Sequence, residues 1–242
     1  MKSFKDFLRE SSSYVSEASN DGEIIVSNKT QLRKLIDDFS LSLDKITLAK
    51  NLKDISGAFK NSTRKDFSGL ETWDVSNVEN MADLFENCPN FTGIEIENWN
   101  VSKVKDMGNL FKDCKNFNAD LSRWNVSKVE YLDFSFGGCK NFSGKGLENW
   151  NTTNLKQLHG AFSNCERFNA DLSRWKTSKV RDVAYLFHGC KNFSGKGLEK
   201  WDLSDLKHYD KLVFKDSGVK NIPDNFLKKF RELGLDWKGE IK

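Results

Sequence analysis

The sequence predicts an α/β solenoid of about five coils, each of 25 or 26 residues with one short strand and one short helix, capped at both ends. Three observations predict it. Tryptophans fall at Trp73, Trp99, Trp124, Trp150, Trp175 and Trp201, at intervals that alternate between 26 and 25. The chain's five cysteines, Cys88, Cys114, Cys139, Cys165 and Cys190, keep the same beat, and none is left over. Phe85, Phe111, Phe136, Phe162 and Phe187 precede each cysteine by three residues; Phe91, Phe117, Phe142, Phe168 and Phe193 follow by three. One coil cannot bury both of its apolar edges, whereas stacked neighbours can.

The elements follow in order. Residues 1–20 are polar and serine-rich and read as a mobile leader. Residues 21–50 read as an N-terminal cap. Glu23–Val26 is predicted as a strand, and Thr30–Phe39 as a helix with Leu32, Leu35, Ile36 and Phe39 on one face. The repeats occupy 51–215, and Ile46–Phe59 is a degenerate first coil. Within a coil, Val104, Met107, Leu110, Phe111 and Cys114 lie at offsets 0, 3, 6, 7 and 10, one face of a short helix. Ser102 is placed to cap it, as are Ser76, Ser127 and Ser178, with Glu79 and Glu130 completing a capping box. Phe117, Ala119 and Leu121 alternate with polar residues, which predicts a strand. The 25/26 alternation arises between phenylalanine and leucine, four residues in Phe117–Leu121 and five in Phe142–Leu147; a bulge would absorb the extra one. FNADLSRW recurs at 117–124 and 168–175, and KNFSGKGLE at 140–148 and 191–199, so the larger unit is two coils. Residues 216–242 form a C-terminal cap: Pro223 starts a helix over Asp224–Leu233, with Phe226, Leu227 and Phe230 apolar.

Composition narrows the function. Lys plus Arg number 38 and Asp plus Glu 35, a net charge of +3 that gives no strong field for nucleic acid or anionic membrane. No apolar run approaches the ~18 residues of a membrane span, and Met1–Glu10 lacks the apolar stretch of a secretory signal. The cysteines lack the close pairs of zinc sites and read as a buried ladder of free thiols. The tryptophans read as core or edge packing, with a stacking platform as the alternative. Asn90, Asn116, Asn141 and Asn192 read as a ladder bonding turn backbone. His159, His188 and His208 share no close spacing, and no nucleophile–base pair, phosphate loop or metal motif is present. The expectation is a protein without enzymatic activity, cofactor or metal.

The pattern W-N-V-S-K-V-x-x-M-x-x-L-F-x-x-C-x-N-F closely resembles the BspA-like, DUF285-type repeat of bacterial surface proteins and lipoproteins, over about residues 50–215. The resemblance implies a right-handed, leucine-rich-repeat-like solenoid that binds proteins. Met1–Glu10 (MKSFKDFLRE) is similar to the capsid-targeting leader of T4-like phage internal head proteins. Such leaders are cut after a hydrophobic-x-Glu sequence, which Leu8-Arg9-Glu10 and Val15-Ser16-Glu17 both fit. That resemblance implies a phage protein packaged with DNA, injected into the bacterial cytoplasm and directed at a host or defence protein. The alternative is a surface or adhesion protein.

Candidate contact residues are the charged positions around the expected strand: Asp120, Arg123, Lys145, Glu148, Asp171, Arg174, Lys196 and Glu199. They should point to solvent in a row, either as a plain solvated surface or as a face for a protein partner, with neither nucleic acid nor membrane involved. Arg123 and Arg174 are the best single candidates. The runner-up is the expected helical side, where Lys105, Lys112 and Asp113 lie.

Overall fold

The chain begins as a small sheet in the computed structural model, which describes residues 17–18 and 23–235. Strand β1 (Glu17–Ala18) pairs antiparallel with β2 (Ile24–Val26), and β2 pairs parallel with β3 (Ile46–Leu48). Helix α1 (Lys29–Ile36) joins β2 to β3; Asn28 caps it, its side chain accepting the Gln31 N–H. Leu32, Leu35 and Ile36 are buried as the periodicity predicts. The helix stops short of Phe39, which stays 54% exposed beneath the Arg64 guanidinium. Arg64 itself donates to the carbonyls of Ile36, Asp38 and Leu41, pinning the cap to the first repeat.

Successive repeats lie side by side in parallel. Bridges link Asp54 to Asn80, then Asp106, Tyr131, Gln157, Asp182 and His208. This ladder runs through the segment predicted as helix, and no helix forms there. Backbone bonding explains the difference. Met107, Asn109, Phe111 and Asp113 donate their N–H groups to Tyr131, Asp133, Ser135 and Gly137 of the next repeat. The interleaved N–H groups of Leu110, Lys112 and Cys114 close three-residue turns onto Met107, Asn109 and Phe111. A helix would need every N–H for its own chain; here alternate ones cross to a neighbour. Left-handed residues make the crossing possible: Asn109 and Asp113 have φ of 53° and 60°, as Asp83 and Asn87 do in the preceding repeat at 59° and 56°. Turns of this kind still set buried side chains three and four residues apart. Val104, Met107, Leu110, Phe111 and Cys114 are therefore all buried, as expected, in a different backbone.

The predicted strand fails likewise. Phe117, Ala119 and Leu121 are buried but belong to no strand. The extra residue of the longer repeats falls just ahead of or within 3-10 turns at Ile94–Ile96, Leu147–Asn149 and Leu198–Lys200, which left-handed Gly93, Gly146 and Gly197 open. Gly146 begins one of them at φ 93°, where a Cβ would lie 2.2 Å from the Ser122 backbone nitrogen. The expected serine caps are also reassigned. Asp74, Asn100 and Asn125 accept the N–H groups of Ser76, Ser102 and Ser127 two residues on, so the preceding Asx residue makes the turn. Glu79 and Glu130 instead form ion pairs with Lys53, Lys105 and Lys156.

Inside, each residue type forms a column. Tryptophan rings stack nearly flat, Trp150 on Trp175 at 6.2 Å and 9°, Trp175 on Trp201 at 6.1 Å and 4°. Each indole N–H donates back across the repeat boundary, Trp124 to Ile96 and Trp150 to Leu121. The five thiols are free and buried, and each donates to a phenylalanine carbonyl one repeat earlier, as Cys139 does to Phe111 at 3.0 Å. Burial raises the thiol pKa values of Cys139, Cys165 and Cys190. Paired phenylalanines such as Phe111 and Phe117 stack at 4.0 Å. Asn90 and Asn116 bond turn carbonyls of the preceding repeat. Helix α2 (Asp224–Glu232) closes the column, with Phe226 against Trp201 and Asn225 donating to the Leu198 and Trp201 carbonyls.

Candidate partner-binding face

The predicted contact residues are largely occupied with each other. Lys145 lies 2.8 Å from Asp120, and Lys196 lies 2.9 Å from Asp171. Arg123 donates to Asn98, and Arg174 donates to Asn149 at 2.9 Å. Each contact ties one repeat to the next, and the duplication repeats it two repeats on. The Lys145 ammonium holds the Asp120 carboxyl down to about 2, and the Lys196 ammonium likewise lowers the Asp171 carboxyl. Glu148 accepts the Gly146 N–H at the head of its own turn, and Glu199 is the second residue of the equivalent turn. The structure thus gives six of the eight an inter-repeat partner. Of the leader sites, Glu10 lies outside the described residues, while Glu17 and Ala18 form β1.

The ladder segment carries a different set. Its first left-handed position holds Gly57, Asp83, Asn109 and Gly160 in four repeats, residues suited to that backbone. In the other two it holds Phe134 and Tyr185, at φ 49° and 57°. Bulky residues there are genuine outliers. Phe134 lies so close over Gly160 that a Cβ there would sit 2.3 Å from its ring. His159 packs 4.9 Å from Phe134 and 5.7 Å from Tyr185, and Tyr185 meets His188 edge-on at 6.1 Å. Lys112 stands over Phe134 at 5.5 Å. The result is a strip of rings crossing the repeats, with Tyr185 37% exposed.

Carboxylates fix the strip. Asp133 accepts the His159 backbone N–H at 3.1 Å, and Asp182 lies 3.3 Å from His159 Nδ1. Asp210 accepts the Tyr185 backbone N–H. Burial, with Asp182 nearby, raises the Asp133 carboxyl. Among the described residues His159 has carboxylate partners and no hydroxyl or thiol bonded to its ring. Such an imidazole is oriented rather than coupled to a nucleophile. Beside Phe134 the surface dips into a notch of about 270 Å³, floored by Gly137 and Gly138 and rimmed by Lys112, Lys115 and Lys140. Among the described residues no group of three or more His, Cys, Asp or Glu could hold a metal, and no helix is long and apolar enough to cross a membrane.

Sequence reasoning passed over Phe134, Gly137, Gly138 and Tyr185 and set His159 aside, although it named the neighbouring Lys112 and Asp113. The available signal was departure from the repeat: aromatics where sister repeats carry Asp, Asn or Gly, and a Gly-Gly pair where they carry at least one polar side chain.

A family model described as "Mycoplasma protein of unknown function, DUF285" matches residues 53–145 and 124–226, together well over half of the chain. No curated protein matches the sequence.

Proposed function

For a chain that belongs to the DUF285 family, we propose a non-catalytic, protein-binding role, on a right-handed, leucine-rich-repeat-like solenoid. The observation that carries this reading is the pair of strained aromatics, Phe134 and Tyr185, held on the surface of the ladder. A repeat protein offers a rigid surface, so binding orders few side chains. Aromatic residues are the commonest anchors of such surfaces. The partner we propose is a bacterial host or defence protein in the cytoplasm; the N-terminal resemblance to phage head-protein leaders supports that class. If the leader is used, virion-derived protein begins at Ser11 or Ala18. Intact Met1 in virions counts against it.

The experiment is affinity capture from bacterial lysate, followed by calorimetry with the purified partner. We expect Phe134→Asn with Tyr185→Asn to weaken binding at least tenfold, and Arg123→Glu with Arg174→Glu to change it less than threefold. The reverse pattern would return the interface to the expected strand side. A partner found only outside cells, on an exported form of the chain, would favour the adhesion reading instead.

A further inference from the structure

The notch beside Phe134 has no equivalent built the same way elsewhere in the ladder. At its two floor positions sister repeats carry Glu86–Asn87, Lys112–Asp113, Ser163–Asn164 and His188–Gly189. Only the repeat after Trp124 carries glycine at both positions, Gly137–Gly138, so two side chains are missing where each of these sister repeats keeps at least the first. The rim adds Lys112, Lys115 and Lys140 against one carboxylate, Asp113. Lys140 pairs with Glu166 at 3.0 Å, and Lys112 with Glu86 at 3.5 Å. Among the described residues Lys115 has no ion pair. Ser163, buried, and Asn164 form the far wall. The Phe134 ring forms the side that continues into the aromatic strip.

We propose that the Gly137–Gly138 notch receives an acidic side chain of a protein partner, whose adjacent apolar residue lies along Phe134, His159 and Tyr185. Size and charge both favour this occupant. Two absent side chains leave room for one carboxylate side chain, and Lys115, which has no ion pair among the described residues, would meet its charge. A nucleic-acid strand is disfavoured because its phosphates need a continuous basic track. Here the row Lys115, Lys140, Glu166, Lys191 is broken by Glu166, which pairs with both Lys140 and Lys191, and Asp133 and Asp182 both contact His159 in the ring strip. This assignment rests on the protein-binding reading above and makes it more specific.

The test uses the full chain and three fluorescein-labelled probes: a twelve-residue peptide alternating Glu and Phe, its Lys/Phe counterpart, and a twelve-residue oligo-dT. Binding is read by anisotropy at 50 and 200 mM salt. The key variant is Gly137→Ser with Gly138→Asn, which gives this repeat the Ser163–Asn164 pair of the next one. The fold accepts it, because Asn61, Asn87 and Asn164 already occupy that left-handed position. The closest atom, Asp113 Oδ1 at 2.4 Å from a Cβ on Gly138, ends a flexible side chain, and a Cβ on Gly137 would meet Phe134 Cδ1 and O at 3.3 Å. Lys115→Glu is the second variant. We expect the Glu/Phe peptide to bind best, to weaken with salt, and to lose at least fivefold affinity in each variant with melting unchanged. Equal binding of oligo-dT, lost in the same variants, would overturn the assignment to a protein partner. So would a Glu/Phe peptide indifferent to both variants. If a captured bacterial partner binds Gly137→Ser/Gly138→Asn normally yet loses Phe134→Asn/Tyr185→Asn, the notch assignment falls while the protein-binding reading stands. If no variant on this face affects any partner, that reading falls with it.

Discussion

Tyr185 shows how one residue can depart from its repeat. Its backbone is left-handed at φ 57°, and its ring meets the His159 and His188 rings while remaining 37% exposed. A left-handed L-residue costs about 1–2 kcal/mol, less for asparagine. The ring contacts return part of that, since aromatic pairs contribute about 0.5–1.5 kcal/mol. Here they involve a half-exposed surface. We therefore expect Tyr185→Asn to stabilise the protein by about 0.5–1 kcal/mol in urea unfolding while weakening partner binding. A variant destabilised by more than about 1 kcal/mol would mean that the ring serves packing, and the strain would then need no functional cause. In the sequence the strain shows only as a departure from the repeat, an aromatic where sister repeats carry Asp, Asn or Gly, and it gains its meaning once the turns are known. The tryptophans and cysteines, by contrast, were legible at this scale. A fixed period leaves them one environment, and it is the buried one.

The element scale is where the sequence misled. Apolar positions at 3- and 4-residue spacing identify which side chains are buried, but two backbones produce that spacing. One is the helix; the other is a chain of three-residue turns separated by left-handed residues. What decides between them is the recurrence of Asn, Asp and Gly four residues apart, as in Asp83/Asn87 and Asn109/Asp113, which helices disfavour. The two end helices, whose backbone N–H groups bond within their own segment, were read to within a few residues. The longer repeats make the same point through glycine. Gly146 must be left-handed, and a neighbouring backbone passes where its Cβ would be, 2.2 Å from Ser122 N. Backbone cannot move aside as a side-chain tip can. Gly146→Ala is expected to cost about 2–4 kcal/mol in urea unfolding. Gly108→Ala supplies the contrast. Gly108 has no left-handed φ, its closest neighbour is the Asp106 carboxylate at 3.2 Å, and sister repeats already carry Ala82 and Ala184 there. That change should be neutral or slightly stabilising. Equal losses at both positions would show that the close approach at Gly146 is relaxed in solution.

For the whole molecule, repeats that touch only their neighbours make stability a sum of boundary contacts. Columns of Trp, Phe and Cys serve every boundary and do not respond to pH near neutrality. The exposed boundary pairs do respond. Lys53 and Lys105 flank Glu79 and hold its carboxyl at about 2, as Lys145 does for Asp120. Their unfolded values are near 4. A carboxyl depressed on folding contributes stability that is complete above its unfolded value and is lost as pH falls through its folded one. These pairs should therefore stabilise fully at pH 5 and above and lose their effect between about pH 4 and 2. The lysine partners act with the opposite sign. Lys105, Lys145, Lys156 and Lys196 are raised by Glu79, Asp120, Glu130 and Asp171. Their contribution is present below the ordinary lysine value and disappears as pH rises through the raised one. Asp133 opposes the acid limb. Its carboxyl is raised by burial, so protonation relieves a penalty as pH falls. Burial raises Asp83 and Glu95 likewise, so three such groups stand against a larger number of lowered carboxyls, and we expect melting temperature to be flat from about pH 5 to 9 and to fall on both sides. Because the pairs are exposed, each is worth little and salt should screen them. The acid limb should accordingly flatten in 0.5 M salt and in Lys145→Met with Lys196→Met, which removes the clasps on Asp120 and Asp171 together. Melting that holds level down to pH 2 would show that the aromatic and cysteine columns alone set the stability of the stack. So would an acid limb of unchanged depth in the double lysine variant.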